Sequence, residues 1–232
     1  MINVSTFKLY GALSNEIDNF LKSENLKCIV KRTENDYLIK FDFSSVDSSV
    51  SDGVLKRFIS KFKNHIYAES NVSLEEQLVK ILSVRNAKIS VGESFTGGGI
   101  ASLITSVSGA SKVFHEGIVA YSNQAKIDRL NVNESVIETF KPVSSQVANE
   151  MVKGLLSGGK TDIAISTTGI AGPLSDDSDF PVGLCYIGVG SNSKITVYKH
   201  KFSGNRAEIT KAGIKTALFH AIKALRSGEF DV

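Results

Sequence analysis

The spacing of apolar residues separates the chain into two parts. In the first part, apolar positions at helical spacing predict helices over residues 13–21 and 54–66. Between them, an apolar run at 28–30 and an alternating run at 37–43 predict two strands joined by a polar turn. We therefore expect a small α+β domain over residues 1–70, with the order helix, strand, strand, helix.

The second part, residues 71–232, alternates apolar strands with amphipathic helices. The predicted strands cover residues 88–91, 113–121, 162–168, 183–190 and 194–202. The predicted helices cover residues 74–82, 98–105, 134–140, 145–156 and 206–225. Such alternation is typical of a three-layer α/β/α domain, in which helices cover both faces of one sheet. The expected fold class is therefore α/β.

Composition excludes several classes of protein. The 27 lysine and arginine residues nearly balance the 24 acidic residues, so the net charge of +3 excludes a polyelectrolyte binder. No apolar run reaches the roughly 18 residues that a membrane span needs, and the N-terminus lacks a signal-peptide pattern. We expect a cytoplasmic protein without a membrane partner.

Cys28 and Cys185 are expected to be free thiols, and the scattered histidines predict no metal site.

The segment Val91 to Gly99 carries the strongest local signal, because it leaves a strand, turns and enters a glycine-rich helix start. Such a site stabilises negative charge through unpaired backbone amides. Two roles for Ser94 follow. It is either a nucleophile with the amides of Phe95 or Thr96 as oxyanion donors, or a helix cap that holds phosphate.

A base for Ser94 is available at the end of the next predicted strand. Lys126 can serve only if burial or a neighbouring cation lowers its pKa, and Tyr121 can relay a proton or position a substrate. Spacing alone favours the simpler interpretation, in which Lys126 is a solvent-exposed helix residue and Tyr121 an aromatic residue at the sheet edge. A third strand runs into a glycine loop after Thr168, and Arg206 at the last helix start can hold a phosphate or carboxylate.

Together these segments resemble the CinA family, and in particular its C-terminal amidase domain, which is shared with the PncC nicotinamide-mononucleotide amidases. The family patterns A-E-S-x-T-G-G, Y-S-N-x-x-K, T-G-I-A-G-P, P-V-G-L and G-x-R match residues 92–98, 121–126, 168–173, 181–184 and 204–206. Residues 6–11 and 65–68 resemble the boundaries of the KH-like domain that precedes the amidase domain in full-length members.

The resemblance implies hydrolysis of the carboxamide of nicotinamide mononucleotide to nicotinate mononucleotide and ammonia, in NAD salvage and without a cofactor. By the same matches, Ser94 is the nucleophile, Lys126 its base and Tyr121 an essential polar partner. The implied substrate contacts are Glu93, Thr96, Gly97, Gly98, Asn123, Thr168, Gly169, Gly172 and Arg206. The family also implies a homo-oligomer.

Three departures from the family pattern keep alternatives open. The molybdopterin-binding-like domain of full-length members is absent from this sequence, so we expect no pyrophosphatase activity. The H-G-x-V-S stretch reads F-K-P-V-S at residues 140–144, and residues 174–179 add three carboxylates beside an anionic substrate. The alternatives are an amidase for a different nucleotide, or a nucleotide- or nucleic-acid-binding protein without chemistry.

Single-stranded nucleic acid would have to be held by basic residues of the first part, namely Lys31, Arg32, Arg57 and Lys61. A solvated helix face is the favoured explanation of these charges. No GxxG loop occurs in residues 1–70, although an RNA-clamping KH module needs one.

Overall fold

Two units of unequal size make up the chain, Met1–Ser73 and Leu74–Val232. The computed structural model describes residues 4–24, 28–33, 35–174 and 180–228. Over these ranges, no helix is both long enough and apolar enough to cross a membrane. Cys28 and Cys185 are free thiols, as the sequence predicts.

The first unit is an antiparallel sheet with two helices. Its elements are β1 (Val4–Tyr10), α1 (Ser14–Glu24), β2 (Cys28–Thr33), β3 (Asp36–Asp42), α2 (Ser48–Phe62) and β4 (Ile66–Ala68). The sheet has the order β2-β3-β1-β4, with each neighbouring pair antiparallel. The predicted order of four elements was therefore incomplete. It missed β1 and β4, and the second helix ends at Phe62 rather than at residue 66.

Aromatic side chains form the core of the first unit. The Phe58 ring lies 4.9 to 5.4 Å from the rings of four other phenylalanines and is fully buried. Those four rings are Phe7, Phe20, Phe41 and Phe62.

Three of the four basic residues that the sequence offers for nucleic acid have partners inside the first unit. Arg57 binds the Glu24 carboxylate through two nitrogens, at 2.9 and 2.5 Å, and Arg32 pairs with Asp18. Lys61 lies over the Phe20 ring at 5.9 Å.

In the described ranges, the second unit contains five strands, six α-helices and a short 3-10 helix at Ala110–Lys112. The elements are α3 (Leu74–Arg85), β5 (Ile89–Glu93), α4 (Gly99–Thr105), β6 (Phe114–Val119), α5 (Asn123–Leu130), α6 (Glu134–Phe140), α7 (Ser145–Leu156), β7 (Ile163–Gly169), β8 (Leu184–Gly190), β9 (Ile195–Lys201) and α8 (Arg206–Arg226). The prediction missed α5. This helix begins where Ser122 accepts a hydrogen bond from the Ala125 amide at 3.0 Å, a normal serine cap.

The sheet of this unit has the order β6-β5-β7-β8-β9. β6, β5 and β7 are parallel, whereas β8 and β9 continue the sheet antiparallel. Helix α7 packs against β5, β7, β8 and β9, while α8 packs with α3 and α4 and against β7 and β8.

Adjacent residues of β7 show that the two helix layers lie on opposite faces of the sheet. Ser166 Oγ donates to the Ala148 carbonyl of α7 at 2.7 Å, whereas Thr167 Oγ1 contacts Thr96 Oγ1, just before α4. Successive side chains of a strand point to opposite faces. The expected layered α/β fold is confirmed.

Candidate active site

A cleft of about 550 Å³ lies where the parallel strands of the second unit end. Strands β5, β6 and β7 run in the same direction, so their carboxyl ends meet at one edge of the sheet, where α/β proteins bind ligands. The residues that line the cleft are Ser94, Phe95, Tyr121, Asn123, Lys126, Lys141, Pro142, Val143, Thr168, Gly169, Ile170, Ala171, Gly172, Leu174 and Arg206.

Ser94 and Lys126 form a close pair in this cleft. Lys126 Nζ lies 3.1 Å from Ser94 Oγ. Both residues are buried, Lys126 being 2% exposed and Ser94 7% exposed. Ser94 directly follows β5, whereas Lys126 reaches the same point from α5, which follows β6. Two elements that start from neighbouring strands thus place a hydroxyl beside an amine.

The surroundings of Lys126 shift its protonation equilibrium toward the neutral amine. Burial lowers the pKa of Lys126 from 10.5 to about 8, because an ammonium loses hydration in the interior. Nζ donates to the carbonyl oxygens of Ala120 at 3.1 Å and Tyr121 at 3.5 Å. A neutral amine has two N–H groups for these carbonyls and one lone pair for the Ser94 hydroxyl. An ammonium meets the same three oxygens with three N–H groups, so the contacts accommodate both protonation states.

Backbone and hydroxyl contacts fix the turn that carries Ser94. The Ser94 amide donates to the Thr167 carbonyl at 3.0 Å, and the hydroxyls of Thr96 and Thr167 lie 2.7 Å apart. Gly97 and Gly98 have φ of +61° and +93°, which glycine adopts without strain. Within the described chain, the amides of Phe95 and Thr96 have no acceptor. Phe95 also lines the cleft, so its amide is available to a bound oxyanion.

Glu93 is turned away from the cleft. Its carboxylate accepts hydrogen bonds from the amides of Gly98 at 3.0 Å, Ile100 at 3.1 Å and Ala101 at 2.9 Å. It therefore occupies the amides at the start of α4 and compensates the positive end of that helix. Glu93 and Gly98 are not among the described residues that line the cleft, so the structure supplies a capping role for them and their contact with substrate stays a prediction.

Of the other predicted contacts, two do not line the cleft. Thr96 and Gly97 belong to the turn that follows Ser94, and neither is among the described residues that line the cleft. Thr96 is buried against Thr167, whose hydroxyl the sequence analysis did not single out.

Arg206 connects two segments of the cleft. Its Nη1 donates to the Gly172 carbonyl at 2.6 Å, and its Nη2 donates to Tyr121 Oη at 2.6 Å. Both partners are uncharged, so the guanidinium keeps its positive charge uncompensated by them. Asn123, Thr168 and Gly169 also line the cleft, and Thr168 Oγ1 donates to the Pro142 carbonyl at 2.7 Å.

The charged residues that line the cleft in the described ranges are all cations, Lys126, Lys141 and Arg206. Residues 175–179, which contain the added aspartates noted in the sequence, lie outside the described residues. Over those described ranges, no three His, Cys, Asp or Glu side chains are grouped so that they can hold a metal ion. The groups that these residues offer for chemistry are the Ser94 hydroxyl, the Lys126 amine and the positive charges of Lys141 and Arg206.

Residues 71–225 match the family model of the CinA C-terminal domain. The chain belongs to the CinA family. A relative in Caldicellulosiruptor saccharolyticus, named for competence-damage induction, is 43% identical over 176 residues, covering 74% of this chain and 43% of the relative. The CinA-like protein of Kosmotoga olearia is 38% identical over 196 residues, covering 83% of this chain and 48% of that protein. This CinA-family chain thus spans less than half the length of these relatives.

A solved CinA-family structure has the same fold. The competence/damage inducible protein CihA from Agrobacterium tumefaciens is 33% identical and superposes with a TM-score of 0.63, over 66% of this chain and 93% of that chain. The aligned share of this chain is close to the extent of the second unit, so the CinA-domain fold is common to both proteins.

Lys141 lines the CinA-domain cleft and was missed as a site residue by the sequence analysis. It ends α6 with φ of +67° and ψ of 158°, a region that is almost exclusive to glycine. A side chain in this region costs about 1–3 kcal/mol. The sequence signal was the replacement of a glycine in the family's H-G-x-V-S stretch by lysine.

Proposed function

We propose that this CinA-family chain hydrolyses the carboxamide of nicotinamide mononucleotide to nicotinate mononucleotide and ammonia. The observation that carries the proposal is the 3.1 Å contact between Ser94 Oγ and Lys126 Nζ, with the pKa of Lys126 lowered to about 8. A hydroxyl is a weak nucleophile until a neighbouring base removes its proton. A buried amine with a pKa near the working pH is suited to that role.

The proposed reaction proceeds through an acyl-enzyme. Neutral Lys126 takes the Ser94 proton as Oγ attacks the carboxamide carbon, which forms a C–O bond and a negatively charged oxygen. The protonated Lys126 then gives its proton to the departing amine, the C–N bond breaks and ammonia leaves. In the second half, Lys126 takes a proton from water, whose oxygen attacks the ester, and returns a proton to Ser94 as the acid is released.

The groups around Ser94 support stabilisation of the charged intermediate. The free amides of Phe95 and Thr96 adjoin the nucleophile in the chain, and such amides are strong donors in a site closed to water. Tyr121 is held by Arg206 at 2.6 Å, which gives the tyrosine a fixed position beside the substrate. In this proposal Tyr121 positions the substrate and Arg206 supports it.

The cleft suits an anionic substrate with a flat ring. Its volume of about 550 Å³ falls in the usual range for small-ligand sites. Lys141 and Arg206 supply positive charge, and Phe95 and Tyr121 supply aromatic surface. A phosphorylated pyridine nucleotide combines the features that these residues recognise, and the family resemblance supports the same substrate.

Ammonia release from nicotinamide mononucleotide tests the proposal directly. We expect Ser94→Ala and Lys126→Met to lower kcat by at least about 10³-fold, because each removes one half of the reacting pair. For the wild type, kcat/KM should rise about tenfold per pH unit below pH 8 and level off above it, since only neutral Lys126 acts as base.

Matched controls are Ser191→Ala, a buried serine outside the cleft lining, and Lys160→Met, an exposed lysine. Both should retain activity within about twofold. Wild-type turnover in either Ser94→Ala or Lys126→Met would exclude the assigned role of that residue. A folded wild type that releases no ammonia would exclude the reaction.

A further inference from the structure

The backbone at Lys141 is unusual for a residue with a side chain. Three non-glycine residues of the described chain have positive φ: Asn86 at +52°, Asn131 at +51° and Lys141 at +67°. Asparagine tolerates the left-handed region, but lysine gains nothing there. With ψ at 158°, Lys141 also lies outside that region, in one used almost only by glycine.

The fold holds Lys141 in this conformation through several contacts. Its amide donates to the Ile137 carbonyl at 2.9 Å, which ends α6, and Ser144 Oγ donates to the Lys141 carbonyl at 2.9 Å. Pro142 follows and restricts the residue before it to extended ψ values. Thr168 then anchors the Pro142 carbonyl at 2.7 Å. The conformation is therefore imposed by the surrounding structure, and the last anchor belongs to the cleft itself.

The Lys141 side chain adds positive charge to the cleft. Within the described residues it has no carboxylate partner, and no carboxylate lines the cleft. A cation at the end of α6 also interacts favourably with the helix dipole, but a lysine within the last helical turn would provide that without strain. Strain at a cleft residue is instead typical of a functional requirement.

We propose that Lys141 binds the phosphate group of a nucleoside monophosphate in the cleft and sets the preference for phosphorylated over dephosphorylated substrate. The kinetic test of this inference relies on the proposed amidase function, whereas the binding of phosphate by Lys141 does not. Lys141 is a specificity-determining residue in this scheme, and Ser94 and Lys126 carry out the chemistry. The ammonium makes a charge-assisted hydrogen bond to a phosphate oxygen.

The kinetic test compares nicotinamide mononucleotide with nicotinamide riboside, which lacks the phosphate. The readout is the ratio of the two kcat/KM values, because a general loss of activity cancels in it. We expect Lys141→Gln to lower this ratio by roughly 10- to 100-fold through KM, which is the usual effect of losing a charged hydrogen bond. Lys141→Arg should restore most of the ratio, and Lys160→Gln should leave it unchanged.

The binding test uses Ser94→Ala protein, in which the ligand is not consumed. Calorimetric titration with nicotinamide mononucleotide and with the riboside gives two Kd values. Introducing Lys141→Gln into this background should weaken binding of the mononucleotide by the same roughly 10- to 100-fold while the riboside Kd changes little. Lys141→Gly is a second variant that removes the ammonium and also relieves the backbone, so a folding defect in Lys141→Gln does not block the test.

The two tests separate the inference from the proposed function. Binding that depends on Lys141 and phosphate, without ammonia release by the wild type, supports the inference and excludes the amidase. Ammonia release whose phosphate preference is the same in Lys141→Gln overturns the inference and leaves the amidase standing. A wild type that neither binds nor hydrolyses the mononucleotide overturns both.

Discussion

The core of the first unit is built from aromatic and aliphatic side chains, whereas the second unit also buries polar side chains at one edge of its sheet. In the described ranges, every buried serine, threonine, lysine and glutamate belongs to the second unit. Those at the carboxyl edge of the parallel strands are Glu93, Ser94, Thr96, Lys126, Thr167 and Thr168. The core of the first unit instead holds phenylalanine rings packed on one another, together with aliphatic side chains.

This difference in buried side chains shows where each region obtains its stability. Burial of apolar rings is favourable by itself, whereas a buried polar group must find partners to offset its lost hydration. Glu93 achieves this with three amides, so it contributes to the structure. Lys126 has three oxygen partners, on Ser94, Ala120 and Tyr121, yet burial still lowers its pKa to about 8, which gives the chain a base near neutral pH. Its unusual state therefore points to chemistry in a way that Phe58 cannot.

The largest expected effect on stability comes from Phe58→Ala. Removing a fully buried ring that touches four others should destabilise the first unit by about 3–5 kcal/mol. Hydrogen exchange, measured by mass spectrometry, should increase over residues 4–73 and leave residues 74–228 protected. Phe58→Leu is the milder control. Loss of ammonia release or of protection in the second unit would contradict the separation of the two regions, because it would show one cooperative transition.

Much of the second unit follows from its sequence, because long apolar strands and helices alternate there. Each of its five predicted strands lies within two residues of the observed one at either end. The first unit was harder to predict from its sequence. Strand β1 lies between β3 and β4, so its burial depends on partners that are distant in sequence, and β4 has only three residues.

The site was only partly predictable, for physical reasons. Ser94 and Lys126 carry chemically distinctive groups, so a pattern can single them out, although only burial lowers the pKa of the amine. The direction of the Glu93 carboxylate depends on the path of the backbone into α4. The conformation of Lys141 results from a helix end meeting a proline, and lysine itself gives no signal of positive φ.

A smaller effect is expected from the cost of burying Lys126. The native state holds Lys126 with a pKa of about 8 against 10.5 when unfolded, so the unfolded chain binds more protons between these pH values. The contribution of Lys126 to stability should therefore rise with pH across that window. Lys126→Met removes the buried amine, so its stability relative to the wild type should be greater at pH 7 than at pH 10 by roughly 2–3 kcal/mol.

Urea denaturation of both proteins at pH 7 and at pH 10 checks this, with Lys160→Met as the exposed control. The difference between Lys126→Met and the wild type is the quantity of interest, because the titration of other groups cancels in it. A gain in stability that is equal at both pH values would mean that Lys126 keeps its proton in the folded state, and a base role would then be untenable.

The smallest effect is expected from Lys141→Gly, which exchanges a strained residue for one suited to φ of +67°. Relief of about 1–3 kcal/mol of strain is partly offset by the greater entropy of glycine in the unfolded chain, so the net gain should be about 1 kcal/mol. Thermal unfolding should shift upward by about 2–4 °C. Asn131→Gly is the matched control, and it should shift less because asparagine already tolerates positive φ.

If Lys141→Gly instead lowers the melting temperature, the residue contributes to folding and its conformation needs no functional explanation. A rise in melting temperature together with a loss of phosphate preference would show that the cleft, unlike the core of the first unit, keeps a residue that folding alone does not favour.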